Sequence, residues 1–147
     1  MILTDLQSFS PTWRGFVPGM LPEDQTIWYD WLDKHQQHFD HLYYNVRLST
    51  DPPTPKDVDP RYVKMWQDLS ARRADVIAAK FNTLTLIEVA SRIVPANLGR
   101  IEAYLELWKL NYPANTITRT IVIYERATPI DLRLLAARGH VLAQVTA

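Results

Sequence analysis

From Pro22 onward, apolar residues recur at Ile27, Trp28, Trp31, Leu32, Phe39, Leu42, Tyr43 and Val46. Steps of three and four place them on one helical face and predict a long amphipathic helix over 22–48. Pro22 suits a first helical position, and Glu23 and Asp24 complement the positive helix end. Residues 1–21 hold no sustained period. Pro11, Gly15, Pro18 and Gly19 interrupt them, which predicts an extended arm. Four prolines within 49–60 predict a loop or stiff spacer. Asp59-Pro60 then reads as cap and first residue of a second helix, through Tyr62, Met65, Trp66 and Leu69 to about Arg72.

Beyond that point the pattern shortens. Asp75–Phe81 and Leu84–Ala90 read as strands joined through Asn82-Thr83, the length of a tight hairpin. Pro95 opens a helix whose apolar positions are Leu98, Ile101, Leu105, Trp108 and Tyr112. A β-branched strand, 116–124, follows it. Thr128-Pro129-Ile130-Asp131 is a helix-capping signature, and Gly139 a left-handed terminator. "VLAQVTA" (141–147) is the last strand. The order predicts an α/β domain, a mixed central sheet flanked by helices, with 61–147 as its core and the arm and long helix ahead of it.

Composition narrows the function classes. The chain has 147 residues, enough for one sizeable core. Sixteen basic and sixteen acidic residues cancel, so binding to nucleic acid requires a local patch rather than a global field. The absence of cysteine excludes disulfides, thiolate metal sites and a cysteine nucleophile. No apolar run reaches the length of a membrane span, and the first residues lack a signal-peptide pattern. An intracellular product with no membrane partner is expected.

Two acids carry the chemistry. Asp75 opens the first strand of the hairpin and Glu88 lies late in the second. Carboxylates on neighbouring strands can share a hard cation such as Mg²⁺, which can generate hydroxide and support phosphodiester cleavage. "RRADVIA", "LIEVA" and "LGRIEAYLELW", in this order of elements, resemble the PD-(D/E)XK superfamily, the restriction-endonuclease-like nucleases. The resemblance covers about Arg72 to Ala147. It implies that Asp75 and Glu88 stand at the metal-binding acids and Tyr104 at the family's helical tyrosine. It also implies a lysine where this chain has Ala90, and a glutamine where it has Arg100. Arg92, two residues past Ala90, and Lys80 are the candidate replacements for the lysine.

The altered positions point to a nuclease fold whose site has decayed, with no cofactor. The corresponding expectation is a non-catalytic structural protein in a larger assembly, a homo-oligomer or ring. A tailed-phage virion component at the head–tail junction, beside portal or tail proteins, is the specific form of that expectation. Leu3, Leu6, Phe9, Trp13 and Phe16 of the arm are its candidate partner-binding residues, whether the arm lies on its own domain or on a neighbour. The rival is a cytoplasmic, Mg²⁺-dependent nuclease acting on DNA through Asp75, Glu88 and Arg92. Two lesser candidates complete the reading: a histidine metal site from His35, His38 and His41, and a DNA-contact patch from Arg61, Lys64, Arg72 and Arg73.

Overall fold

The computed structural model describes residues 3–48, 56–57, 59–63 and 72–146. Helix α1, Pro22–His35, begins at proline with Glu23 and Asp24 in its first turn, and buries Ile27, Trp28, Trp31 and Leu32. It is half the expected length. One 3₁₀ turn, Gln36–His38, ends it, and strand β1, His41–Arg47, follows. The apolar residues Leu42, Tyr43, Tyr44 and Val46, which had extended the helical pattern, belong to this strand. Leu42 and Tyr44 pack on the α1 side of the sheet, and Tyr43 on the other. Burial on both faces leaves no alternation, so periodicity could not separate strand from helix there.

The expected second helix, 60–72, is seen only at its start. Asp59 caps a 3₁₀ turn, Pro60–Tyr62, by accepting from the Arg61 N–H at 2.9 Å. Most of the remainder lies outside the described residues, as does most of the proline-rich segment. Strand β2, Arg73–Lys80, and strand β3, Thr83–Arg92, form the expected hairpin. Helix α2, Pro95–Asn111, starts at Pro95 with the Asn97 Oδ1 accepting from the Val94 N–H at 2.7 Å. Strand β4 spans Ile117–Arg126. Helix α3, Pro129–Ala137, is capped by the Thr128 hydroxyl, and strand β5 is Val141–Gln144.

The five strands lie in the order β1-β2-β3-β4-β5. β1, β2 and β3 pair antiparallel, whereas β3, β4 and β5 pair parallel through the α2 and α3 crossovers. The α/β expectation holds. α1 and the arm cover one face, packing Trp28, Leu32, Val17 and Met20 on Val76, Ile87 and Ile121. α2 covers the other with Tyr104 and Trp108 over Ile77, Leu84 and Leu86. α3 closes a third cluster through Leu135, Val122 and Ile101.

The arm lies on its own domain. Leu3 is buried, and its N–H donates to the Tyr43 hydroxyl at 2.8 Å. Phe9 exchanges two backbone hydrogen bonds with Leu42, at 2.8 and 2.9 Å. Phe9, Trp13 and Tyr44 rings cluster, with Phe9 and Trp13 centroids 4.6 Å apart. Leu6 packs beside the second cluster. Of the five arm residues singled out as partner-binding, Phe16 alone stands free, at 80% exposed.

Candidate functional site

The hairpin register pairs Val76 with Ile87. One step further along, it sets Asp75 opposite Glu88, so the two carboxylates meet on neighbouring strands. Side-chain to backbone bonds lock them. Asp75 Oδ2 accepts from the Val89 N–H at 2.9 Å, and Glu88 Oε1 accepts from the Asp75 N–H at 3.4 Å. Glu88 is 4% exposed. Burial pushes the Asp75 carboxyl up to about 6, Asp24 adding to the rise, while the Val89 N–H and Arg100 oppose it. Burial raises Glu88 well above the carboxylate range, and the Asp75 charge beside it raises it further. Two desolvated carboxyls side by side resist ionising together, which is the direction of both shifts.

Two neighbours escaped the sequence reading. Asp24, in the first turn of α1, acts on Asp75 and accepts from the Ser91 N–H at 3.1 Å. It was visible only as a helix-start acid, because nothing in one-dimensional spacing brings residue 24 beside residues 75 and 91. Arg100, on α2, is the cation whose field reaches both carboxyls. It had been noted as an altered position rather than as a replacement for the lysine. Neither proposed substitute serves. β3 does continue to Arg92, but this exposed residue lies four positions beyond Glu88, about 13 Å along the strand. Lys80, at the far end of β2, is paired with Asp40 at 3.3 Å. Tyr104 stands over the pair, its hydroxyl pushed up to about 12 by burial and by the Glu88 charge.

Above these groups is a hollow of about 290 Å³ lined by Arg72, Ala96, Gly99, Arg100 and Tyr104. The surface offered to solvent is therefore cationic and aromatic, with the carboxyls beneath it. Asp75 and Glu88 each commit one oxygen to a backbone N–H, and burial disfavours their joint ionisation. Among the described residues, no group of three or more His, Asp or Glu side chains is placed to hold a metal. A hard cation needs about six oxygen ligands, several of them waters, and these two carboxyls supply only part of that set.

Of the histidine candidates, His35 and His38 remain neighbours, with ring centroids 5.9 Å apart. His35 stacks on Trp31 with centroids 4.2 Å apart, its Nδ1 donating to the Trp31 carbonyl at 2.8 Å. The break after α1 carries His41 onto β1, where its Nδ1 is engaged with the Ser8 hydroxyl at 3.1 Å. The basic patch also dissolves: Arg61 is paired with Asp59 at 3.1 Å, Arg72 joins the hollow, Arg73 opens β2, and Lys64 lies outside the described residues. A different polar array forms between β4, α2 and the α3–β5 turn. Thr120 Oγ1 meets His140 Nδ1, and His140 Nε2 meets Glu102 Oε1 at 3.1 Å. Thr120 and His140 are buried, so this order of hydroxyl, imidazole and carboxylate acts as a structural tie.

No protein-family model matches the sequence, and no curated protein matches it at a significant level. The structure is similar to the crystal structure of a repair endonuclease from Pyrococcus abyssi, with a TM-score of 0.51 and 12% sequence identity. The match covers 90% of this chain and 50% of that one, so the chain spans about half the length of that protein. At that identity the likeness speaks for the architecture alone. The chain has a nuclease-like α/β fold.

Proposed function

We propose that this chain is a non-catalytic interaction protein built on a nuclease-like fold, its carboxylate pair retained as buried scaffold. The observation that carries this reading is alanine at position 90, beside a pair whose Glu88 is buried and bonded to the backbone of the neighbouring strand. An alanine methyl neither donates a hydrogen bond nor carries charge. The cationic hollow formed by Arg72, Arg100 and Tyr104 over the pair suits a phosphate backbone, with the ring available to a base. DNA contact without cleavage is the binding mode these residues favour. The head–tail junction role has weaker footing, because the arm that suggested it closes the chain's own core.

One observation favours the rival nuclease reading: Arg100 brings positive charge to Asp75 and Glu88, where the family's lysine would act. A single experiment separates the two. Linear and supercoiled DNA are incubated with Mg²⁺ or Mn²⁺ and wild type, Asp75→Ala or Arg100→Ala, with binding followed in parallel by fluorescence anisotropy. The expected result is no cleavage by any form, and binding that weakens in Arg100→Ala. Metal-dependent cleavage lost in both variants would instead establish the nuclease.

A further inference from the structure

A second hollow lies on the opposite face of the sheet, between the C-terminal end of α1 and the starts of β3, β4 and β5. Its volume is about 810 Å³, within the range of small-molecule sites. Glu88 alternates onto the α2 face, whereas Thr85 and Ile121 face α1 with this hollow, so the two sites are separate.

Its chemistry is one-sided. The floor is apolar, from Phe39, Ile121 and Ala143, and no lining residue is acidic, although the whole chain is charge-balanced. Thr85 is 6% exposed, and its hydroxyl has no hydrogen-bond partner among the described residues. No described side-chain oxygen or nitrogen is both fully buried and unpaired, so that hydroxyl keeps its remaining access through the hollow it lines. The β3–β4 register places Thr85 beside Arg119, an exposed guanidinium with no ion pair among the described residues. Neighbouring strands are about 4.8 Å apart, so hydroxyl and guanidinium can converge on one anionic group. Lys80, paired with Asp40, and His38 stand on the rim.

We propose that this hollow is a binding site for a small amphipathic anion, a carboxylate, sulfonate or phosphate monoester with an apolar body. Thr85 and Arg119 take the charged end, and Phe39, Ile121 and Ala143 the body. A ligand oxygen would complete the valence that this hydroxyl leaves open to the hollow.

The test uses the full chain and 8-anilinonaphthalene-1-sulfonate, followed by fluorescence, with 1-naphthyl phosphate and 1-naphthol as competitors. Saturable one-to-one binding is expected, displaced by the phosphate and far less well by the uncharged naphthol. Arg119→Ala should weaken probe and phosphate about tenfold, the loss of one charge-assisted contact. Arg133→Ala, removing an exposed arginine on α3, should change neither. Ala143→Trp should block the hollow. Should that variant fail to fold, Arg119→Ala against Arg133→Ala still decides. Non-saturable binding, equal affinities in wild type and Arg119→Ala, or naphthol matching the phosphate would each overturn the proposal.

Discussion

Replacing Asp75 by asparagine should make the protein less sensitive to alkali and more stable at neutral pH. The asparagine amide can still accept from the Val89 N–H and donate to Glu88, so the geometry is kept while one ionisation is removed. In the wild type the folded state raises Asp75 from 3.8 to about 6. The folded protein therefore binds more protons than the unfolded chain between those values, and stability falls as pH rises through that window. At about 1.4 kcal/mol per pH unit, the loss attributable to Asp75 is about 3 kcal/mol, complete above pH ~6. Glu88 is shifted in the same direction, and the Asp75 charge is its second cause. Removing that charge lowers the Glu88 penalty as well. Urea denaturation at half-unit intervals from pH 4 to 8, with constant m, reads this directly. The wild-type midpoint should decline toward neutrality while the Asp75→Asn midpoint stays flatter and lies above it at pH 7. Parallel curves, or a wild type that gains stability from pH 4 to 6, would refute this account of burial-raised carboxyls.

Other consequences follow from the same structure. Millimolar Mg²⁺ at pH 6 should leave the melting temperature unchanged, because burial disfavours charging both carboxyls; a rise of several degrees abolished by Glu88→Gln would contradict this. Removing residues 1–10 should cost roughly 3 kcal/mol or more in chemical denaturation, since it strips buried Leu3 and the Phe9 packing from the core. His140→Ala should cost about 2 kcal/mol by leaving the buried Thr120 hydroxyl unpaired, and His140→Asn should recover part of it. Gly19→Ala should cost about 1–3 kcal/mol in thermal scanning. Gly19 has φ +75°, and an added Cβ would sit 2.4 Å from the Asn45 Oδ1.

Where a segment carries its own punctuation, its element was legible in the sequence. Pro95, Thr128 and Gly139 bracket α2 and α3, and the β2–β3 turn falls at Phe81-Asn82, one residue before the expected Asn82-Thr83. The failure came at β1. His41–Arg47 is apolar on both sides because the arm and α1 cover one face and α2 the other, and a doubly covered strand reads like a helix stripe. The same limit governed the site. Asp75 and Glu88 were found because a two-residue turn makes their pairing local. Asp24 and Arg100 were not placed there because their proximity depends on how α1 and α2 dock, which no short spacing encodes. The arm was read as apolar and non-periodic, and its destination had to come from the fold.

The Phe9–Leu42 pairing has a consequence for solubility. β1 is an outer strand of the sheet, and the unpaired backbone groups along such a strand invite a second molecule to add its own. One bridge from the arm occupies part of that edge, with the Phe9 and Trp13 rings packed on the α1 face beside it. At the opposite edge β5 is only four residues long, a length that by itself discourages pairing. The N-terminal segment thus acts as a selvedge, finishing the side of the sheet that would otherwise fray into intermolecular strands. A chain shortened from this end would be expected to aggregate through β1 before it lost its helices.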